Sequence, residues 1–120
     1  MPIRVLVVED SVLISSALKV LLESSGYEVK VAGTAAEALV SGSESPPDVL
    51  LLDLTLPDAD GLWVIQELFS REIRPAVKLA MTGYDDDGTR ERCIVAGCDD
   101  VLVKPVPIRE LLRVIADRLT

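Results

Sequence analysis

Two of the most apolar runs in this chain of 120 residues end in carboxylates: Val49-Leu50-Leu51-Leu52 leads into Asp53, and Ile3-Arg4-Val5-Leu6-Val7-Val8 leads into Glu9-Asp10. Two more runs end in polar groups, Val77-Lys78-Leu79-Ala80-Met81 at Thr82-Gly83 and Val101-Leu102-Val103 at Lys104-Pro105. As parallel strands, these runs would deliver Glu9, Asp10, Asp53, Thr82 and Lys104 to one carboxyl edge, where open α/β sheets form their ligand crevices. Carboxylates gathered there repel: a pair about 4 Å apart costs on the order of 4 kcal/mol at an effective dielectric of about 20. A cation therefore belongs among them. An all-oxygen donor set, in a chain with no histidine, favours Mg²⁺ over zinc or copper. Lys104 supplies a point charge suited to an oxyanion or phosphoryl group, and Thr82 a hydroxyl donor to the same group. A carboxylate nucleophile, a divalent metal, a hydroxyl and a lysine together describe phosphoryl transfer onto Asp53, giving an acyl phosphate. Singly, each residue has a plainer role: Asp10 could cap a helix, Thr82 a turn, and Lys104 could be a solvated amine. Four strand ends meeting at one crevice carry the reading.

That convergence needs a particular frame. The unalternating run 49–52 suits a strand covered on both faces, as in a parallel sheet between helices. Val12, Leu13, Ala17, Leu18, Leu21 and Leu22 recur at helical spacing and predict a first helix from Ser11 to about Ser25, stopped by Gly26. Glu28-Val29-Lys30-Val31-Ala32 alternates as a half-exposed edge strand should, and Thr34-Ala35-Ala36-Glu37 reads as a capping box opening a short helix. Ser43 to Pro47 reads as a loop, as does the Pro- and Gly-bearing stretch from Leu54 to Gly61, before a helix through Trp63, Ile65 and Leu68. Asp85-Asp86-Asp87 either precede or open a helix continuing to Ala96, at the positive end of its dipole, or form a solvated loop. Gly97 ends that helix, and Ile108, Leu111, Leu112, Ile115 and Leu119 form the stripe of a last one. Core packing is expected of Trp63 and Phe69, and Cys98 is expected to fill a small apolar hole. Strand and helix alternate five times. This predicts an α/β three-layer sandwich with a five-stranded parallel, doubly wound, flavodoxin-like sheet in the order 2-1-3-4-5.

Bulk composition sets further bounds. Residues 1–120 are read as one domain, 49% hydrophobic and 27% charged. No apolar run approaches the roughly 20 residues of a membrane span, and Met1-Pro2-Ile3-Arg4 does not open a signal peptide. Cys93 and Cys98 are too few and too close for a disulfide framework or a zinc site, which implies reduced thiols and a cytoplasmic location. A net charge of −8, with its 12 basic residues scattered, argues against nucleic acid contacts. The lack of histidine excludes imidazole chemistry and any role as a phosphohistidine donor.

Over its whole length the chain resembles the CheY-like receiver domains of two-component response regulators. The motifs are Val8-Glu9-Asp10, Leu52-Asp53-Leu54 with Pro57 and Gly61, Met81-Thr82-Gly83, and Val103-Lys104-Pro105. The resemblance implies that Asp53 accepts a phosphoryl group from the phosphohistidine of a sensor kinase or phosphotransfer protein. It also implies that Asp10, Asp53 and the backbone carbonyl of Thr55 ligate Mg²⁺, with Glu9 assisting through water. Thr82 and Lys104 would contact the phosphoryl oxygens, and the Lys104-Pro105 bond would be cis. Such a domain catalyses only its own phosphorylation and dephosphorylation. Its output passes to an effector protein or an effector domain of a parent chain, by a bias on a surface around the fourth helix and fifth strand. The stretch from Thr82-Gly83-Tyr84 to Lys104-Pro105 is similar to receivers attached to hybrid histidine kinases. One position departs: Val101 stands where the family commonly has a switching Tyr or Phe, and it is expected simply to pack in the sheet. Tyr84 is then the candidate gate to the phosphate. Three rivals are weaker. A dehalogenase-type phosphatase needs an acid where Thr55 stands, and a flavodoxin-like electron carrier needs a phosphate loop where Glu9-Asp10 would repel one. A pseudo-receiver scaffold would have lost the acceptor, the acidic pair or the lysine, and this chain keeps all of them.

Overall fold

The unbroken apolar strands predicted from the sequence form the middle layer of the protein. The structure, a computed structural model, describes residues 2–83 and 86–120. Its elements run β1 (Arg4–Val8), α1 (Val12–Ser24), β2 (Glu28–Ala32), α2 (Ala35–Glu44), β3 (Val49–Asp53), α3 (Gly61–Ser70), β4 (Val77–Thr82), α4 (Asp87–Ala96), β5 (Asp100–Val103) and α5 (Ile108–Leu119). All the strand pairs are parallel, and the sheet order is β2-β1-β3-β4-β5, the flavodoxin-like order expected.

Alternate residues of each strand point to opposite faces. Val5, Val7, Val49, Leu51, Leu79 and Met81 therefore pack with Leu22 of α1 and Leu111, Val114 and Ile115 of α5. Leu6, Val8, Leu50, Leu52 and Ala80 pack on the other face with α2, α3 and Cys93 of α4. Every residue of β3 is buried, which is why its sequence shows no alternation. The register pairs Val8 with Leu52, Asp53 with Met81 and Thr82 with Val103, so the polar residues at the carboxyl ends of β1, β3, β4 and β5 leave the sheet at nearly one level.

Several local expectations need correction. Val12 and Leu13 are 76% and 83% exposed; α1 presents Ser15, Leu18 and Leu22, not the whole apolar stripe, to the sheet. Trp63 is not a core residue but lies 40% exposed on α3, whereas Phe69 does pack against the core. Ser43 and Glu44 belong to α2, so the loop that follows is shorter than predicted. β2 alternates imperfectly, because Val31 at the sheet edge is uncovered while Val29 and Ala32 are buried. Gly97 ends α4 with a φ of 112° in the left-handed region, and Asp86 caps its start by accepting the Thr89 N–H at 2.7 Å. Cys93 and Cys98 are buried together, and Val101 packs in the sheet as expected.

Candidate functional site

Strand ends bring the predicted residues together. Asp53 is the last residue of β3 and only 6% exposed, and Glu9, just past β1, is 1% exposed. Asp10 follows on the exposed rim; it does not cap α1, since Ser11 does. One carboxylate oxygen from each of Glu9, Asp10 and Asp53 falls within a group spanning no more than 4.8 Å. Lys104 Nζ reaches in from the end of β5, donating to Glu9 Oε1 at 2.7 Å and to Asp53 Oδ2 at 3.1 Å. Thr82 is buried at the end of β4, and its carbonyl accepts the Lys104 N–H at 2.7 Å, locking the two strand ends together. The Lys104-Pro105 bond is cis.

The loop after β3 is shaped around Asp53. Asp53 Oδ1 accepts the Thr55 N–H at 3.1 Å, and the Leu54 carbonyl accepts the Gly61 N–H at 2.9 Å. Gly61 packs so closely that a Cβ there would run into the Asp53 carbonyl oxygen and come within 2.9 Å of Leu54 Cα. That contact explains the glycine more directly than turn propensity does. Asp60 caps α3 through the Leu62 N–H at 2.9 Å and pairs with Arg92 of α4 at 2.7 Å.

Electrostatically the site is short of positive charge. Burial, and then the neighbouring Asp53, push the Glu9 carboxyl up to about 7, against the opposing pull of Lys104. Burial alone would lower the Lys104 amine, but its bonds to Glu9 and Asp53 outweigh it and hold the amine above its ordinary value. Glu9 Oε2 is buried with no hydrogen-bond partner among the described residues. A buried carboxylate oxygen left over in an all-oxygen cluster fits a hard divalent cation. No described helix is long and apolar enough to cross a membrane.

Sequence reasoning missed Asp58 and the Asp60–Arg92 pair. Asp58 accepts the Ala35 and Ala36 N–H groups at the start of α2, across 23 and 22 residues, and no local pattern signals so distant a bond. The Thr34–Glu37 box is present, but the Glu37 carboxylate takes the Gly33 N–H rather than that of Thr34. Tyr84, the candidate gate, and Asp85 lie outside the described residues.

A parallel 2-1-3-4-5 sheet with a buried acid at the end of its central strand and a lysine across from it defines the CheY-like receiver fold. The family model for the response regulator receiver domain matches residues 5–116, and the chain belongs to that family of two-component signalling modules. Among solved structures, it is similar to a CheY-like response regulator receiver domain protein from Methanospirillum hungatei, with a TM-score of 0.90 and 33% identity over 99% of this chain and 94% of that one. The signal receiver domain of a putative Luxo repressor protein from Vibrio parahaemolyticus gives a TM-score of 0.92 at 27% identity, over 99% and 91%. The virulence transcriptional regulatory protein PhoP of Salmonella typhimurium is 38% identical over 109 residues, 91% of this chain and 48% of PhoP. The transcriptional regulatory protein TrcR of Mycobacterium tuberculosis is 34% identical over 111 residues, 92% and 43%. The chain thus spans about half the length of the curated relatives it matches.

Proposed function

We propose that residues 1–120 form one receiver domain that acts as the phosphoacceptor switch of a two-component phosphorelay in the cytoplasm. The observation that carries this is the Asp53 carboxylate, nearly buried at a strand end, with Lys104 at 3.1 Å on one oxygen and the Glu9–Asp10 acids beside it. Asp53 attacks the phosphorus of a phosphohistidine on a kinase or histidine phosphotransfer protein. The new O–P bond forms as the P–N bond breaks, and the departing imidazole keeps the electron pair and takes up a proton. Glu9, Asp10, Asp53 and the Thr55 carbonyl would hold Mg²⁺, which when bound supplies positive charge where the phosphoryl oxygens gather. Lys104 and the Thr82 hydroxyl orient and neutralise those oxygens. The Thr82–Lys104 backbone bond couples them, so a phosphoryl group drawing on both biases the neighbouring α4–β5 surface toward an effector domain or protein. The domain's only catalysis is its own phosphorylation and dephosphorylation.

Intact mass after incubation with acetyl phosphate, with and without Mg²⁺, tests this on the wild type and Asp53→Asn. A gain of one phosphoryl group that needs both Mg²⁺ and Asp53 is expected. No gain in a folded, Mg²⁺-binding wild type would leave a scaffold that works without phosphorylation.

A further inference from the structure

We infer that Asp58 is a positioning residue for the cation site, clamping the acceptor loop onto the N-terminus of α2; this rests on the reading of Glu9, Asp10, Asp53 and Thr55 as that site. The loop over residues 54–60 carries Thr55 three residues before Asp58. Its inner side is held by the Asp53 carboxylate on the Thr55 N–H, by the Leu54 N–H donating to the Met81 carbonyl at 3.2 Å, and by an antiparallel bridge between Thr55 and Asp60. Its outer side is held by Asp58, whose Oδ1 accepts the Ala35 N–H at 2.8 Å and whose Oδ2 accepts the Ala36 N–H at 3.1 Å.

Those two amides are among the donors that a helix start leaves without partners inside the helix, and they lie at the positive end of its dipole. Thr34 Oγ1 takes the next one, the Glu37 N–H, at 3.1 Å. The bonds from Ala35 and then Ala36 hold the Asp58 carboxyl below its ordinary value, so the clamp stays charged at neutral pH. The loop is therefore gripped on both sides, which restrains the backbone that carries the Thr55 carbonyl. Partners that orient metal ligands from behind are worth about ten- to a hundredfold in metal affinity. An exposed clamp belongs at the low end of that range.

Thr34 provides the internal control, because its side chain caps the same helix end but bonds within α2. Amide NMR titration with MgCl₂, following Thr55 and Gly61, reads the dissociation constant without any phosphorylation. Asp58→Ala is expected to weaken Mg²⁺ about tenfold and to speed hydrogen exchange at Ala35 and Ala36. Asp58→Asn, which keeps one acceptor oxygen, should recover part of the affinity, and Thr34→Ala should bind as the wild type does. The inference fails if Asp58→Ala titrates like the wild type, or if Thr34→Ala weakens Mg²⁺ as much, since helix-end stability alone would then explain the effect. A wild type without Mg²⁺-dependent shifts refutes the cation site itself, and the clamp's role with it.

Discussion

Replacing Lys104 by methionine removes the amine from the carboxylate cluster while keeping most of the side chain's volume. Lys104 Nζ stands 2.7 Å from Glu9 and 3.1 Å from Asp53, and the two carboxylate side chains are only 1% and 8% exposed. Deleting one partner of a buried ion pair costs about 3–5 kcal/mol, because the remaining charge stays buried without compensation. The Lys104 side chain is itself 26% exposed, which puts the loss near the lower end, about 3 kcal/mol. The pH dependence has a definite sign. Glu9 already sits at about 7, above its ordinary 4.5, and loses the amine that pulls it down. The folded variant therefore holds that proton more tightly than the unfolded chain does, and its stability falls as pH rises through 7. The lysine's own contribution is intact throughout, since its amine is raised above 10.5 and stays charged. Urea denaturation of Lys104→Met and wild type at pH 6 and pH 8, with and without MgCl₂, measures all of this. The full loss is expected at pH 8 without metal, a smaller one at pH 6, and partial recovery with Mg²⁺. A loss below about 1 kcal/mol at pH 8, the level of an exposed pair, or an equal loss at both pH values, would refute the electrostatic account.

Three other outcomes follow from the packing. Gly61→Ala should cost about 2 kcal/mol or more in urea melts, since the new methyl meets the backbone of Asp53 and Leu54 rather than a flexible side chain; a change within about 0.5 kcal/mol would show that the loop relaxes freely. Cys98, pushed up to about 12 by burial first and the neighbouring Cys93 second, stays a neutral thiol at pH 8, as does Cys93, whose thiol burial also raises. Both should resist a thiol-reactive chromophore until the protein is unfolded, and rapid labelling of the native state would contradict this. Leu22→Ala should cost about 2–5 kcal/mol, while Leu13→Ala, on the same helix but 83% exposed, should change stability by less than about 0.5 kcal/mol.

That last contrast marks where the sequence could and could not be read. The strands were legible because burial on both faces leaves an unmistakable run, and β3 from Val49 to Asp53 has the bounds its pattern predicts. The gathering of Glu9, Asp10, Asp53 and Lys104 followed from chain order alone, since parallel strands put all their ends on one edge. α1 was harder: its apolar positions spread over a face wider than the sheet covers, so the stripe did not show which of them pack inward, and the structure buries Ser15 and Leu22 while Val12 and Leu13 stay exposed. Ser15 is tolerated there because its hydroxyl donates to the Val12 carbonyl at 3.3 Å. Trp63 misled because size suggests burial, yet its place beside Asp60 and Arg92 keeps it open to water. The Asp58 and Asp60–Arg92 ties join segments more than 20 residues apart through side chains, and hydrophobic pattern carries no trace of such contacts.

The most direct test of the central claim is to locate the phosphoryl group chemically. After incubation with acetyl phosphate and Mg²⁺, borohydride reduces an aspartyl phosphate to homoserine, and peptide mass mapping then identifies the residue. Homoserine at position 53, and its disappearance when Mg²⁺ is chelated, is the result the account predicts. An unmodified Asp53 in a protein that has taken up phosphate, or homoserine at Asp10 or another acid instead, would contradict it.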